Sequence, residues 1–437
     1  MTFTSSRNQR EHYNGTRLWW VFLFVGMSVA AAHATELPDT VGNDSCRARY
    51  AFGATANIAT LLGREDYGVD LVKRHGCQFY SIYMDFLSNP SDGNEYERLY
   101  GYPTFEAGLM LGDFHNVRLR RDNPPTPYYS GLGYELTAYG AFRRDVVRTN
   151  RLSVGYGLEQ GLGICTRPYN RHDNVDNEFI GSRISIYIGI DLYAGYRLSR
   201  EWEAGMGLEF KHYSNSALDR PNKGANAIGL SARLTYTPDA APAQYIHKYE
   251  NENENEGESS KKVYTYTDIS ASWGGKALLD DWIIYYYNTP ADDPNYKTSH
   301  FKIRSVWGIS AAQMFRYSRK YASGIGLDYW YATYSDRIRE VDEQRGFTSG
   351  YKYDNHILGL SLRHEAFYKN ISLAMGLGVY LHRQMGFIGK NDEKPYYETV
   401  GLRYYPAFLR HRAYIGYNVK AHLMKADCME VKMGVCL

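Results

Sequence analysis

The sequence predicts an all-β fold: a transmembrane antiparallel β-barrel, best drawn as two tandem eight-stranded units, with one sixteen-stranded barrel as the alternative. Three observations carry this reading. Apolar and polar residues alternate with period two over stretches longer than ten residues. A tilted bilayer crossing needs about 9–11 residues, whereas soluble strands commonly run about 5–6. Beyond residue 34 no run is long and apolar enough for a spanning helix of about 20 residues, while tyrosine (42) and glycine (41) abound. An Asn/Glu-rich stretch then divides the strands into two sets of eight.

The chain opens with Arg7, Arg10 and Arg17 ahead of the apolar run LWWVFLFVGMSVAAA, which ends in Ala32-His33-Ala34. A basic flank, a short apolar core and small residues at the cut describe a secretory signal peptide over residues 1–34, cleaved near Ala34. Its three arginines and one glutamate account for the formal net charge of +2. The exported chain is then near neutral, with no basic field for nucleic acid. Its expected home is the outer membrane, crossed many times by strands.

Residues 35–237 form the first unit. Its strands are expected near 47–62, 77–88, 101–115, 131–146, 151–166, 183–198, 201–214 and 225–237. The pattern is plainest in RISIYIGIDLYAGYRL (183–198). Ile184, Ile186, Ile188, Ile190 and Leu192 share one face, and Ser185, Gly189, Asp191 and Gly195 share the other. With the N-terminus in the periplasm, long external loops fall near 116–130, 167–182 and 215–224, and tight turns near 147–150 and 199–200. The connection near 89–100 is longer than a periplasmic turn requires.

Residues 238–261 (PDAAPAQYIHKYENENENEGESSK) offer no apolar surface to bury and read as a solvated periplasmic linker. The second unit, 262–437, has strands expected near 263–277, 300–317, 321–335, 354–368, 370–384, 395–408, 411–424 and 427–437. The linker exceeds what a turn needs, which favours two barrels over one. The role of the second unit stays open.

Other chemistry is thinly represented. Cys46, Cys77, Cys165, Cys428 and Cys436 are odd in number and scattered, giving neither a disulfide framework nor a metal signature. Gly155, Gly157, Gly161 and Gly163 lie within a strand and read as lumen packing, not a phosphate loop. His364-Glu365 has no second histidine at helical spacing, so no zinc site follows. No metal and no cofactor are expected.

One stretch departs from the pattern: FKHYSNSALDRPNKGAN, residues 210–226. His212 and Ser214 continue the parity of Trp202, Ala204, Met206, Leu208 and Phe210, which faces lipid. The next strand carries Asn226 ahead of Ile228, Leu230 and Ala232 on its own outward face. Folding the hairpin about 215–224 brings Asn226 to His212 and Ser214, at the external end of the wall. An interfacial belt of polar side chains would look the same. A serine that needs a base, and a base that needs an orienting group, would also look like this. A nucleophile there meets only a substrate resident in the outer leaflet, which in a Gram-negative outer membrane is lipid A, the anchor of lipopolysaccharide.

His212-Tyr213-Ser214-Asn215, followed by Pro221-Asn222 and Gly224, resembles the signature of the PagL-type lipid A 3-O-deacylases, or acyloxyacyl hydrolases, over roughly residues 45–237. The resemblance implies an eight-stranded outer-membrane barrel with a lipid-facing serine esterase site. His212 would be the base and Ser214 the nucleophile. Asn215 or Asn222, with Gly224 and nearby backbone N–H groups, would bind the oxyanion and substrate. The family's type members carry a glutamate where this chain has Asn226. Either Asn226 orients His212 as a neutral amide, or Asp219 supplies the carboxylate. The alternative function is a structural or transport barrel of the porin kind.

Overall fold

Strands form where the alternation runs longest, and the computed structural model closes them into two separate antiparallel barrels. It describes residues 49–63, 71–88, 94–149, 151–238, 263–347, 349–423 and 425–437. The expected signal peptide, nearly all of the expected linker and Cys46 lie outside these residues.

The first barrel comprises β1 (Tyr50–Leu61), β2 (Gly76–Leu87), β3 (Thr104–Phe114), β4 (Gly133–Arg148), β5 (Leu152–Cys165), β6 (Ile184–Arg197), β7 (Trp202–Ser214) and β8 (Ala225–Tyr236). The second comprises β9 (Tyr264–Ala277), β10 (Ile303–Arg316), β11 (Tyr321–Ala332), β12 (His356–Tyr368), β13 (Ile371–His382), β14 (Tyr396–Tyr404), β15 (Ala413–His422) and β16 (Lys425–Cys436). Strand β8 returns to β1, with Ala232 opposite Ala56. Strand β16 returns to β9, with Gly434 opposite Ser270. The sixteen-stranded alternative, which needs β8 paired to β9, is therefore wrong.

The faces are inverted relative to a soluble protein. Ile58, Ile82, Met206 and Leu230 are 65–76% exposed on the outside of the first barrel, while Glu106, Arg143, Glu159, Asp191, Glu209 and Lys211 are buried inside it. This is the arrangement of a strand whose outer neighbour is hydrocarbon. Aromatic pairs mark the periplasmic rim: Trp202 with Tyr236 (4.9 Å between ring centroids) and Tyr50 with Phe86 (5.8 Å).

Eight strands leave an interior only wide enough for side chains. Arg143 bonds Glu106 at 2.8 Å and Glu159 at 2.9 Å and also reaches Asp191. Lys211 meets Glu209 at 2.8 Å. In the second barrel Arg403 bridges Asp268 and Glu365, each at 3.0 Å. Paired in this way, buried charges avoid the several kcal/mol that an isolated ion costs. Gly157 is one place where only glycine fits, since a Cβ there would collide with the Asp191 carboxylate.

Two expected strands end early for local reasons. The strand expected at 395–408 stops at Tyr404 because Pro406 offers no N–H to the ladder. The one expected at 101–115 starts at Thr104, after Gly101 and Tyr102 adopt positive φ and Pro103 follows.

The barrels also touch. Within the long 89–100 connection sits a short helix, α1 (Glu95–Leu99), capped by the Asn94 side chain. It docks on the periplasmic turns of the second barrel. Lys369 meets Glu97 at 2.9 Å, Arg319 pairs with Glu95, and the adjoining Tyr100 hydroxyl donates to the Phe367 carbonyl at 2.9 Å. On the external side α2 (Leu279–Ile283) and the π-helical turn Ile284–Asn288 bury Trp282 and Tyr286 against Tyr169 and Val175 of the first barrel.

Candidate active site

Strand parity sends His212 outward, and the β7–β8 register places Asn226 directly opposite it. Opposed side chains on one face of an antiparallel pair have Cβ atoms about 4.5–5.5 Å apart, close enough for an imidazole and an amide to bond. His212 Nδ1 lies 2.7 Å from Asn226 Oδ1. Because an amide oxygen only accepts, Nδ1 carries the proton, and Nε2 is left to accept. Nε2 lies 2.9 Å from Ser214 Oγ. A hydroxyl, a basic nitrogen aimed at its proton and a partner fixing the tautomer thus form one chain on the lipid-facing wall.

Between them in sequence, Tyr213 points the other way and anchors the strand end. It is fully buried, its hydroxyl is 3.2 Å from Thr137 Oγ1, and its ring packs on Tyr187 (5.0 Å) and Phe114 (6.2 Å). Ser214 itself is 7% exposed. Its opposite residue on β6 is Ile186, so an apolar wall flanks the hydroxyl.

The loop 215–224 is tightly braced. The Asn215 backbone N–H donates to Asn222 Oδ1 at 2.9 Å, and Asn215 Nδ2 donates to Ser182 Oγ at 3.2 Å. Leu218 N–H returns to the Asn215 carbonyl at 3.0 Å. Lys223 pairs with Glu178, a buried carboxylate of the preceding external loop that also takes Arg121. Asn222 thus supports the backbone of Asn215 through its amide oxygen.

Gly224 serves the histidine. Its φ is +76°, and a Cβ there would stand 2.6 Å from His212 Cε1. Its N–H is committed to the Phe179 carbonyl at 3.0 Å, so it is not the oxyanion donor that the motif suggested. Asp219 does not orient His212 either, because Asn226 holds Nδ1. The Asp219 carboxylate accepts from the Arg220 N–H at 2.8 Å, and burial pushes its carboxyl up to about 6. Of the expected residues, His212, Ser214 and Asn226 converge directly, and Asn215 and Asn222 lie in the loop that follows. Ser182, Glu178 and Phe179 were missed, since nothing in their own sequence neighbourhood marks them.

Two other clusters invite comparison. Glu393, His422 and Asp427 lie close enough to share an ion. Asp427, however, already meets Lys420 at 3.0 Å and pairs with Lys276, and Glu393 pairs with Arg383. The group is an ion-pair network. On the second barrel's outer wall Ser323 Oγ lies 3.0 Å from His364 Nδ1. These two face each other within the β11–β12 ladder, where backbone N–H groups are spent on strand pairing.

A family model described as lipid A 3-O-deacylase (PagL) matches residues 128–235, which include every candidate site residue. A second, described as the C-terminal domain of acyloxyacyl hydrolase, matches residues 269–436, nearly all of the second barrel. A search of curated proteins returns no match. Among solved structures, Neisserial surface protein A is 11% identical, with 43% of this chain and 96% of that chain covered and a TM-score of 0.26. A ferric enterobactin receptor mutant from Pseudomonas aeruginosa is 8% identical, with 87% and 54% covered and a TM-score of 0.23. With the two family models together spanning more than half of its length, the chain belongs to the family of PagL-type lipid A deacylases and acyloxyacyl hydrolases.

Proposed function

We propose that the protein is an outer-membrane esterase that hydrolyses an ester-linked acyl chain of lipid A through Ser214 and His212. One observation carries the reading: a serine hydroxyl 2.9 Å from an imidazole whose other nitrogen is held at 2.7 Å, on a wall that faces lipid. In this mechanism His212 Nε2 takes the Ser214 proton as Oγ attacks the ester carbonyl. The tetrahedral oxyanion is received by backbone N–H groups of the turn at Ser216 and Ala217, since the Asn215 N–H is held by Asn222 Oδ1. His212 then returns the proton to the departing sugar oxygen, and the acyl chain stays on Ser214. Water, deprotonated by the same nitrogen, releases the fatty acid and restores the serine. Asn226 keeps Nε2 unprotonated before the attack and the ring correctly turned during it.

Position limits the substrate. The site sits at the external end of β7, so a substrate must present its ester at the headgroup boundary of the outer leaflet, with its acyl chains lying along the wall. Mass spectrometry of lipid A from cells expressing the wild type or Ser214→Ala tests this. The wild type should yield lipid A lighter by one acyl chain, and the variant should yield none. An unchanged product with Ser214→Ala would remove the serine from the mechanism.

A further inference from the structure

We propose that the second barrel positions the esterase site, with the end of β9 gripping the turn that follows Ser214. This inference rests on the esterase reading and gives the second barrel a part in it. The turn is strained. Ser216 (φ 51°) and Ala217 (φ 66°) are consecutive residues in the left-handed region, and neither is glycine. Such conformations are unfavourable for residues that carry a Cβ and persist only where their surroundings over-determine them.

Much of that determination comes from the other barrel. Ala277, the last residue of β9, donates its N–H to the Ala217 carbonyl at 2.7 Å. Its own carbonyl accepts from Arg220 Nε at 2.8 Å. Both polar groups of one peptide-chain residue are therefore spent on the loop, bracketing it on either side of Leu218 and Asp219. Ala217, Ala277 and Leu278 are fully buried, and Arg220 is 8% exposed, so these bonds form away from competing water. Leu218 reaches the end of β9 as well: its Cδ2 would make ordinary van der Waals contact, at 3.9 Å, with a Cβ at Gly275.

A second tie reaches the same loop from its far end. Lys223 pairs with Glu178, Glu178 with Arg121, and Arg121 donates to the Tyr287 hydroxyl of the second barrel at 3.1 Å while lying 4.9 Å from the Tyr286 ring. The loop between Ser214 and Asn226 is thus held at both ends by contacts that lead to the second barrel. A shift of about 1 Å in reacting groups lowers rates by about 10²-fold, so a loop left to relax its left-handed pair would misplace the oxyanion donors next to the serine. Arg220 and Ala277 are positioning residues: neither is within reach of the ester.

The test uses the full chain in mixed micelles of detergent and lipid A, with folding checked by heat-modifiable mobility. Arg220→Ala removes one bond of the bracket and Ala277→Pro removes the other from the opposite barrel. In each, kcat per folded molecule should fall at least tenfold with KM within twofold of wild type, and Arg220→Lys, which keeps a donor, should recover part of the loss. A contact that merely stabilised the fold would lower the melting temperature and leave kcat of the folded fraction unchanged. Wild-type kcat in whichever of the two variants folds would overturn the positioning role. Ser214→Ala is run in parallel. If it is inactive while the bracket variants keep full activity, positioning alone fails; if it is active, the esterase reading fails and the positioning role with it.

Discussion

Replacing Asn226 separates a neutral orienting group from a passive polar belt. Its Oδ1 lies 2.7 Å from His212 Nδ1 across a directly opposed strand pair, so Asn226→Asp keeps the length and geometry of the bond while adding a charge. During acyl transfer the imidazole becomes an imidazolium. A hydrogen bond to a charged group contributes about 1.5–3 kcal/mol against about 1 for a neutral one. The gain of about 1 kcal/mol corresponds to a kcat roughly fivefold higher. The acid costs little in stability at this depth, since acidic residues at the interfacial end of a lipid-facing wall cost roughly 0–1 kcal/mol. Asn226→Leu removes the bond and frees the ring to place its proton on Nε2, where it can no longer accept from Ser214. Losing about 2 kcal/mol of orientation and charge stabilisation lowers kcat about 30-fold. Release of fatty acid from lipid A micelles, measured at matched folded concentration, reads all three proteins. Wild-type turnover in Asn226→Leu would refute the reasoning, because a belt residue can be replaced without consequence and an orienting residue cannot.

Gly224→Ala forces a side chain into a left-handed position 2.6 Å from the His212 ring; strain of about 1–2 kcal/mol should accompany a tenfold or greater fall in kcat, seen by the same assay. Asp219→Asn should alter stability with a definite sign. A carboxyl raised to about 6 by burial holds its proton more tightly in the folded state, so its stabilising contribution is complete below the ordinary carboxyl range and is lost as pH rises through 6. The variant should therefore melt like wild type at pH 3.5 and progressively higher than wild type from there to pH 7, by circular dichroism in detergent. Ser323→Ala, at the second Ser–His contact, should leave deacylation unchanged, because among the described residues no side chain is seen to hold the other nitrogen of His364 as Asn226 holds that of His212; a loss of activity would give the second wall a part in catalysis.

Which face a strand residue occupies was legible in the order of the residues alone. Parity along a strand is a local property, so alternation in residues 183–198 and 201–214 announced lipid-facing and lumen-facing sets, and it carried His212 and Ser214 to the outer wall. Hairpin register is nearly as local, and a ten-residue loop sufficed to bring Asn226 opposite His212. Even the excess length of the 89–100 connection was visible, although not that it holds α1 against the second barrel. Closure was not local: β8 chooses β1, more than 160 residues back, over the nearer β9, and only the assembled ladders decide that. The same holds for hydrogen-bond ownership in the loop. Whether Gly224 offers its N–H to an oxyanion or to Phe179, and whether Asp219 reaches His212, depends on neighbours that no periodicity encodes. Ala277 lies 60 residues from Ala217 and is an unremarked alanine in its strand. Its bond to the site loop exists only because two closed barrels, each rigid through its own ladders, stand side by side and meet at their external ends.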